Sequence, residues 1–382
     1  MSRSCIDVGD VESSFAQARR TWVIKIGSSL VTDRAGLSTE RLDALCEQIT
    51  KLRQADIDVV IVSSGSIAEG CHRLGLTERP HELSKLQAAA AVGQMGLTHA
   101  YATRFQEAGF QTGMVLLTHD DLKDRERYLN ARSTIETTLA HKVIPVINEN
   151  DSVSTEEIRF GDNDTLAARV AALIQADVLA ILTDQRGLFE TDPRLNPDAK
   201  LVENASPFDP MLDSMVNHDP GPFGRGGMFS KLEAARFAAK SGCDTWILDG
   251  RSGDSLTRLM AGETIGTHLT ADLNPVDARK QWIAGQLRSR GEVCVDAGAV
   301  QALKHQGVSL LPIGVKKVEG HFHRGDLVTV CDDAGNEVAR GLSNYSDHEA
   351  RAIMGHASTE IENLLGYMDQ PELIHRDNLA LL

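Results

Sequence analysis

Acidic and amide side chains are concentrated in one short part of the chain. The stretch G-D-N-D-T at 161–165 comes directly before an alanine-rich helical pattern at 166–174, and N-E-N-D at 148–151 follows an apolar run at 143–147. One Asp or Asn at a helix start caps exposed backbone N–H groups and suits the positive end of the helix dipole. Seven such residues within seventeen positions exceed what a cap needs. Because ligands bind at the carboxyl ends of strands in open α/β sheets, the cluster indicates a polar ligand site.

Two lysines lie beside glycine-rich segments. Lys25 interrupts an apolar strand pattern just before Gly27 and two serines, and Lys231 ends the stretch G-R-G-G-M-F-S-K at 224–231, which leads into a helical pattern. Lys25 could be an edge lysine that reaches water, and the second stretch could be a flexible loop. The alternative is phosphate recognition by main-chain amides with two lysines adding charge. Lys25 does not fit a Walker A loop, whose lysine follows the glycines.

No residue stands out as a nucleophile or general base. Ser63, Ser64 and Gly65 have no histidine close by and no G-x-S-x-G pattern, which favours hydrogen bonding to a ligand. Asp184 ends another strand pattern, where a turn aspartate is the alternative. A kinase that acts on a carboxylate needs no base, because a carboxyl group with a pKa of about 4.3 is already ionised at neutral pH. It needs cations that spread the charge of the transferred phosphoryl group.

The elements that must position these residues alternate between strands and helices up to about residue 273. This alternation predicts an α/β fold with an open, mainly parallel sheet sandwiched by helices. The predicted strands are 23–26, 59–62, 114–117, 143–147, 178–182 and 245–248, and the predicted helices follow an N-cap at Ser38 and lie at 85–94, 128–139 and 230–240.

The pattern changes after about Leu273, with a boundary expected near Asn274 and Pro275. Short apolar runs split by Gly, Asp and Asn predict a small β-rich domain, and the stretch at 369–382 has weak patterning and is expected to be loosely held. The predicted strands of this domain are 291–295, 308–311, 327–331 and 337–342.

The whole chain has 382 residues and a formal net charge of −15, which argues against nonspecific binding of nucleic acid or membrane surfaces as its main task. Six widely spaced cysteines form no C-x-x-C pair, so neither a disulfide framework nor a zinc site is expected. A reducing cytoplasm fits best. Residues 1–20 lack a signal-peptide core, and no apolar run approaches membrane-spanning length.

Several motifs, taken in order from about Thr21 to Leu273, resemble the amino acid kinase family. The resemblance is to the branch that phosphorylates the γ-carboxylate of L-glutamate at the start of proline biosynthesis. The region at about 280–368 resembles the PUA domain that many members of this branch carry. The matching motifs are V-I-K-I-G-S-S at 23–29, V-S-S-G-S-I at 62–67, P-V-I-N-E-N-D at 145–151, G-D-N-D at 161–164, L-T-D-Q-R-G-L at 182–188 and G-G-M-F-S-K at 226–231.

The resemblance implies a catalytic domain at 21–273, a PUA-like domain at 280–368, a flexible extension at 1–20 and a C-terminal tail at 369–382. It also implies the roles of the site residues. Lys25 and Lys231 would stabilise the transferring phosphoryl group, and Asp162 would orient them. The glutamate would be held by Ser64, Asp151 and Asn163, with Asn148 and Asp164 nearby. ATP would be bordered by Lys25, Gly27, Thr183, Asp184, Arg225, Gly226, Gly227, Met228, Phe229, Ser230 and Lys231.

Further properties follow from the resemblance alone. Magnesium would bridge the phosphates of ATP without a metal site made by the protein. Proline would inhibit at or over the glutamate site, the chain would assemble as dimers or tetramers, and it would be coupled functionally to glutamate-5-semialdehyde dehydrogenase. Ser230 stands where Thr is common and keeps the hydroxyl, so the effect on ATP binding should be small. Arg225 and Phe229 lie at variable positions of the glycine loop.

Two kinds of alternative stay open. Another amino acid kinase could act on acetylglutamate, aspartate, carbamate or UMP, although the N-E-N-D and G-D-N-D pair followed by a PUA-like domain favours glutamate. An RNA-binding or RNA-modification factor is the second alternative, because PUA domains usually bind RNA. Over 279–351, however, 10 Lys and Arg face 9 Asp and Glu, a net charge of +1 that is a poor electrostatic footprint for RNA.

Overall fold

The protein is described by a computed structural model that covers residues 20–33, 36–154, 163–216, 227–272, 275–284 and 289–382. An eight-stranded sheet forms the centre of the N-terminal domain, and a separate two-stranded hairpin lies beside it. The strands of this domain are β1 (Thr21–Ile26), β2 (Thr32–Asp33), β3 (Gly36–Leu37), β4 (Asp58–Ser63), β5 (Thr112–Leu117), β6 (Ile144–Glu149), β7 (Val178–Thr183), β8 (Asn204–Ala205), β9 (Asp244–Asp249) and β10 (Thr267–Leu269).

The strand order is β5-β6-β4-β1-β7-β9-β10-β8, with β2 and β3 forming the hairpin. Every paired strand in the sheet is parallel to its neighbour except β10, which runs antiparallel to β9. All six residues of β4 are buried, because helices cover both faces of a parallel sheet. The predicted fold class is therefore confirmed for this domain.

Helices cover the two faces and divide the core in two. Alternate residues of β1 serve opposite faces, so Trp22 and Ile24 pack in one cluster with α2 and α4, while Val23 packs in another with α5, α6 and α8. Lys25 lies on the same face as Val23. The helices are α1 (Ser28–Val31), α2 (Thr39–Gln54), α3 (Ser66–Arg73), α4 (Leu83–Glu107), α5 (Arg125–Ala140), α6 (Asp164–Leu173), α7 (Met211–Met215), α8 (Met228–Ala239) and α9 (Ser255–Met260).

Most predicted elements of this domain match the observed ones within a few residues. The helix predicted at 85–94 is the beginning of α4, which continues to Glu107 because Leu97, Tyr101 and Phe105 bury one face of the extra turns. Ser38 does occupy the N-cap position of α2, but its side chain makes no capping hydrogen bond. Among the described helices, none is both long and apolar enough to cross a membrane.

The C-terminal domain contains a five-stranded sheet with its own buried core. The order is β12-β11-β13-β14-β15, and only the β11–β13 pair is parallel. Its elements are α10 (Pro275–Ala284), β11 (Gly291–Val295), α11 (Ala297–Gln306), β12 (Val315–Gly320), β13 (Leu327–Cys331), β14 (Glu337–Leu342), α12 (Asp347–Ile353), α13 (Ile361–Leu365) and β15 (Leu379–Leu381), with short 3-10 helices at Pro312–Gly314, Ser358–Glu360 and Arg376–Asn378.

Three features of this domain differ from the expectations. The strand predicted at 308–311 is only a single bridge between Leu310 and Ile374, because Pro312 begins a short 3-10 helix there. The strand β12 was missed, since only two of its six residues are buried. The stretch at 369–382 is not loosely held. Leu373 and Ile374 are buried in the core, and β15 pairs with β14.

The expected domain boundary, near Asn274 and Pro275, lies at a gap between the described ranges. Residues 273–274 lie outside the described ranges, as does most of the N-terminal extension. The helix α10, which begins at Pro275, packs with the C-terminal domain, where Ile283 is buried against Leu327, Leu342 and Ala380.

Candidate active site

The carboxyl ends of four adjacent strands bring the polar motifs to one edge of the sheet. Because β6, β4, β1 and β7 are neighbours and parallel, their last residues end side by side. The amide and acidic cluster follows β6, Ser63 and Ser64 end β4, Gly27 follows β1, and Thr183 ends β7. Lys25 therefore stands between the amide-rich half of the edge and the β7 half.

One buried carboxylate holds both lysines. Asp164 is fully buried, and its Oδ1 lies 2.6 Å from Lys25 Nζ while its Oδ2 accepts a hydrogen bond of 3.0 Å from Lys231 Nζ. Each lysine is 5% exposed. Two ammonium groups share one negative charge, so this triad carries a net positive charge at the sheet edge. Such an arrangement can stabilise charge that develops on a phosphoryl group.

The start of α8 forms a second part of this cationic end. Gly227 is the N-cap of α8 and, being a glycine, provides no side-chain capping bond. The Ser230 hydroxyl lies 2.8 Å from the Gly227 carbonyl and 2.9 Å from Asp164 Oδ2. Uncapped N–H groups at the start of a twelve-residue helix attract anions. Lys231 lies on this first turn, so the helix start and the triad point to the same ligand.

A chain of amide hydrogen bonds joins the other half of the edge. Asn163 Nδ2 donates to Ser64 Oγ at 2.9 Å and to Asn148 Oδ1 at 2.8 Å. Asn163 is at the N-cap position of α6 but makes no side-chain capping bond. Its amide therefore bonds to site residues and not to the helix backbone. Through Ser64, just after β4, and Asn148 in β6, Asn163 ties both strands to the start of α6, next to Asp164.

The network continues to a buried acid. Asn148 Nδ2 donates to Gln94 Oε1 at 2.8 Å and to Ser66 Oγ at 3.2 Å, and the Ser66 hydroxyl lies 3.5 Å from Asp151 Oδ2. Asp151 Oδ1 and Asn163 Oδ1 are buried acceptors that have no hydrogen-bond partner among the described residues. A hydrogen-bond donor on a bound ligand would stabilise such unpaired buried oxygen atoms.

Two carboxyl groups lie close together beside this network. Asp151 is 4% exposed and Glu149 is 3% exposed. Burial, and then the charge of Glu149, raise the pKa of Asp151 to about 7. The local excess of negative charge would be relieved by a bound cation such as an ammonium group.

The half of the edge near β7 is more open. Thr183 is half-buried, Asp184 is exposed and lies 3.5 Å from Arg251, and nothing lies closer than 4.0 Å to the position that a Cβ on Gly27 would take. Phe229 is exposed on the first turn of α8, and Met228 is half-buried. An extended ligand can therefore lie over β1 and β7 with its anionic end at the triad.

The structure brings most of the predicted site residues together at this edge. One of them has a different place in the site from the one expected. Asp164, expected near the glutamate, lies between the two lysines. Asp162, Arg225 and Gly226 lie outside the described residues. Ser66, Gln94 and Glu149 are additional members of the site. Glu149 and Ser66 lie within the polar motifs, whereas Gln94 sits in an alanine-rich helical stretch with no signal of its own.

In the described part of the chain, no group of three or more His, Cys, Asp or Glu residues is arranged to hold a metal ion.

Comparison with known proteins agrees with this geometry. Residues 20–249 match the amino acid kinase family, and residues 291–365 match the PUA domain. The glutamate 5-kinase of Thioalkalivibrio sulfidiphilus is 58% identical over 364 residues, which cover 95% of this chain and 97% of that protein. The glutamate 5-kinase of Methylococcus capsulatus is 57% identical over 363 residues (95% and 97%), and that of Hahella chejuensis is 54% identical over 382 residues (99% and 99%). The chain therefore belongs to the amino acid kinase family and, within it, to the glutamate 5-kinases.

Proposed function

We propose that this protein transfers the γ-phosphoryl group of ATP to the γ-carboxylate of L-glutamate, giving L-glutamyl 5-phosphate and ADP, the first step of proline biosynthesis. The observation that carries this proposal is the buried triad of Lys25, Asp164 and Lys231 between an amide and acid pocket on one side and an open sheet edge on the other. Close relatives that carry the name of this activity support it.

The amide and acid pocket suits the amino acid. Asp151 and Glu149 would bind the α-ammonium group, whose positive charge relieves the repulsion between them. Asn163, Ser64 and Asn148 would hold the glutamate through hydrogen bonds, with its γ-carboxylate directed towards the lysines. Asp151 would therefore become ionised when glutamate binds, since a nearby cation lowers the pKa of a carboxyl group.

The transfer step needs no proton acceptor. One γ-carboxylate oxygen forms a bond to the γ-phosphorus, and the bond from that phosphorus to the β–γ bridging oxygen breaks, so both electrons leave with ADP. Lys25 and Lys231 hold the two anions together and stabilise the equatorial oxygens, while Asp164 keeps both ammonium groups in place. Asp162 remains a proposed member of this group, from the resemblance alone.

ATP would lie over β1 and β7, with Gly27, Thr183 and Asp184 beside it and the start of α8, from Gly227 to Lys231, at its phosphates. Arg225 and Gly226 are proposed here from the motif. Magnesium would supply additional charge neutralisation for the phosphates when it is bound. The ion would be held chiefly by phosphate oxygens and water.

Proline is the proposed inhibitor, at or over the glutamate site. It has the ammonium and carboxylate groups that Asp151 and the amides would recognise, but no γ-carboxylate to phosphorylate. A homodimer or tetramer, a cytoplasmic location and functional coupling to glutamate-5-semialdehyde dehydrogenase are proposed on the family resemblance. The C-terminal domain is proposed to influence assembly or regulation and not to bind RNA.

Formation of γ-glutamyl hydroxamate from L-glutamate, ATP, magnesium and hydroxylamine tests the reaction. We expect product with glutamate, less product with proline present, and none with acetylglutamate, aspartate, carbamate or UMP as acceptor. Turnover of another acceptor in place of glutamate would refute the substrate and keep the phosphoryl-transfer site. Lys231→Ala should lower the rate of product formation by about 100-fold or more in the same assay, which distinguishes turnover at this site from a contaminating activity.

A further inference from the structure

A third cation stands at the same sheet edge and has no part in the proposed transfer step. Arg251 lies just past the end of β9, which is the neighbour of β7 and runs parallel to it. Its side chain is 63% exposed, and its Nη2 lies 3.5 Å from Asp184 Oδ2. Asp184 directly follows β7, over which ATP would lie. Arg251 is therefore accessible to a ligand on the nucleotide half of the edge.

The backbone that carries Arg251 is held in place by the neighbouring strands and by α1. The Gly250 N–H donates to the Thr183 carbonyl at 2.8 Å, so the pairing of β7 with β9 continues past the last residue of β9. The Arg251 N–H donates to Asp249 Oδ1 at 2.9 Å. A Cβ on Gly250 would lie 2.3 Å from Leu30 Cδ1, which means that this turn packs closely against α1, the helix that follows β1. The guanidinium group thus extends from a fixed base.

Two carboxylates make this part of the edge unfavourable for a polyanion unless a cation offsets them. Asp184 follows β7 and Asp249 ends β9, and the two strand ends are adjacent because Thr183 is the register partner of Asp249. Like charges repel more strongly at a partly buried site than in bulk water. Arg251 contacts both acids, Asp184 through the guanidinium group and Asp249 through the backbone N–H. It can therefore offset their charge where the phosphates of a nucleotide would pass.

The distance from the triad indicates which phosphate Arg251 can reach. Adjacent strands of a sheet lie about 4.8 Å apart, so the ends of β1 and β9, with β7 between them, are about 10 Å apart. The γ-phosphate of ATP would lie at Lys25 and Lys231. The opposite end of the triphosphate, next to the ribose, then lies towards β9 when the nucleotide runs across β7. The contact with Asp184 uses Nη2, and the other donors of the planar guanidinium fork suit phosphate oxygens.

We propose that Arg251 is a nucleotide-binding residue whose guanidinium group donates to the α-phosphate of ATP. The inference rests on the proposed use of ATP at this edge and deepens it, because it names a residue that binds the part shared by ATP, ADP and AMP. Lys25 and Lys231 act on the phosphoryl group that is transferred. Arg251 binds a phosphate that takes no part in bond making or breaking, so it stabilises the bound nucleotide and the transition state equally. It sets nucleotide affinity and leaves kcat almost unaffected.

Binding of ADP to the full chain, measured by isothermal titration calorimetry with magnesium and without an acceptor, tests the proposal. Arg251→Ala should weaken ADP binding about tenfold, the effect of one lost charge-assisted hydrogen bond. AMP, measured by competition against ADP in the same instrument, should be weakened by a similar factor, because it keeps the α-phosphate. Arg251→Lys should lose less affinity than Arg251→Ala, since it keeps the charge but not the planar fork.

Steady-state kinetics supplies a second readout. In Arg251→Ala the KM for ATP should rise about tenfold, whereas kcat and the KM for glutamate should stay close to the wild-type values. A role in stability alone would not produce this separation. The melting temperature should also stay close to that of the wild type, because an exposed ion pair contributes little to stability.

Arg258→Ala is the matched control. Arg258 is an exposed arginine in the last turn of α9 and is ion-paired with Glu263 at 2.8 Å, so its removal should leave ADP binding unchanged. The proposal is wrong if the wild type binds no ADP, if Arg251→Ala binds ADP as tightly as Arg258→Ala does, or if ADP binding weakens while AMP binding does not. A failed hydroxamate assay together with ADP binding that depends on Arg251 would reject the proposed acceptor alone.

Discussion

Lys25 and Lys231 come from distant parts of the chain and share one buried carboxylate. Removing two ammonium groups from water is costly, and Asp164 offsets that cost while fixing where both charges point. These three side chains therefore explain why a catalytic site can lack a general base. The acceptor arrives ionised, and the protein supplies fixed positive charge.

Lys231→Ala should lower kcat by about 100-fold or more, because its charge stabilises the transition state more than the bound substrates. The glutamate KM should change much less. The measurement is steady-state kinetics by the hydroxamate assay, with circular dichroism to verify the fold. Lys240→Ala is the matched control, since Lys240 is exposed just after the end of the same helix. An unchanged kcat in Lys231→Ala would remove this lysine from the mechanism.

Asp151→Asn should weaken glutamate binding and yet stabilise the protein without ligand. The folded-state pKa of Asp151 is raised to about 7 from an ordinary value of 3.8, so the unfolded chain releases this proton at lower pH than the folded protein. The stability of the wild type therefore falls as pH rises from about 4 to about 7, and the variant lacks this loss. The free energy of unfolding of the variant should exceed that of the wild type by a margin that grows by about 2.6 kcal/mol between pH 5 and pH 8.

Urea unfolding at those two pH values, without glutamate, measures this margin. A margin that stays constant or shrinks with pH would contradict the raised pKa. A separate glutamate titration should show a higher KM for Asp151→Asn, and an unchanged KM would remove Asp151 from the substrate site.

At the scale of elements, α3 and α4 pack unusually closely behind the amide network. A Cβ on Gly93 would lie 1.8 Å from the Ser66 carbonyl oxygen, and one on Gly70 would lie 1.7 Å from the Ala89 carbonyl oxygen. Two glycines thus let the helix backbones touch, and this contact sets where α3 begins. Ser66 and Gln94 are parts of the site because of this packing.

Gly93→Ala should push α4 away from the start of α3. We expect a loss of about 1–3 kcal/mol in the free energy of unfolding and a raised glutamate KM, because Ser66 and Gln94 would no longer hold Asn148. Gly96→Ala, on the same helix, is the control. There the new Cβ meets only the Arg73 side chain, which is half-exposed and can move, so stability should stay within about 1 kcal/mol of the wild type. Equal effects of the two substitutions on stability and KM would refute this role of the close contact.

The whole molecule consists of two separately cored domains with a polar cleft between them. RNA binding is one task that such a C-terminal domain could have, and it needs a basic surface. The +1 balance over 279–351, within a chain of net charge −15, offers little attraction for phosphate backbones.

Filter binding with structured RNA at low salt should therefore show only weak retention of the full chain. A basic RNA-binding domain of similar size is the positive control for the assay. Tight association that weakens steeply with added salt would overturn the expectation, because such a slope reports release of counterions from several phosphate contacts.

The alternation of strands and helices, the separate β-rich domain and the motifs that gather at one sheet edge could all be predicted from the sequence. These follow from local periodicity and from the rule that parallel strands end together. Errors came where local signal is weak. The half-exposed β12 and the segment around Ile374 owe their structure to pairing with distant strands.

Three features could be seen only in the folded chain: the acid that holds the lysines, the entry of Gln94 into the site, and the cleft between the domains. Asp164 and Lys231 are 67 positions apart, and Asn148 and Gln94 are 54 apart. Nothing in the local pattern distinguishes Asp164 from its neighbours in G-D-N-D. Their contacts depend on the order of strands in the sheet and on how closely helices pack, and both arise from burial of the whole core.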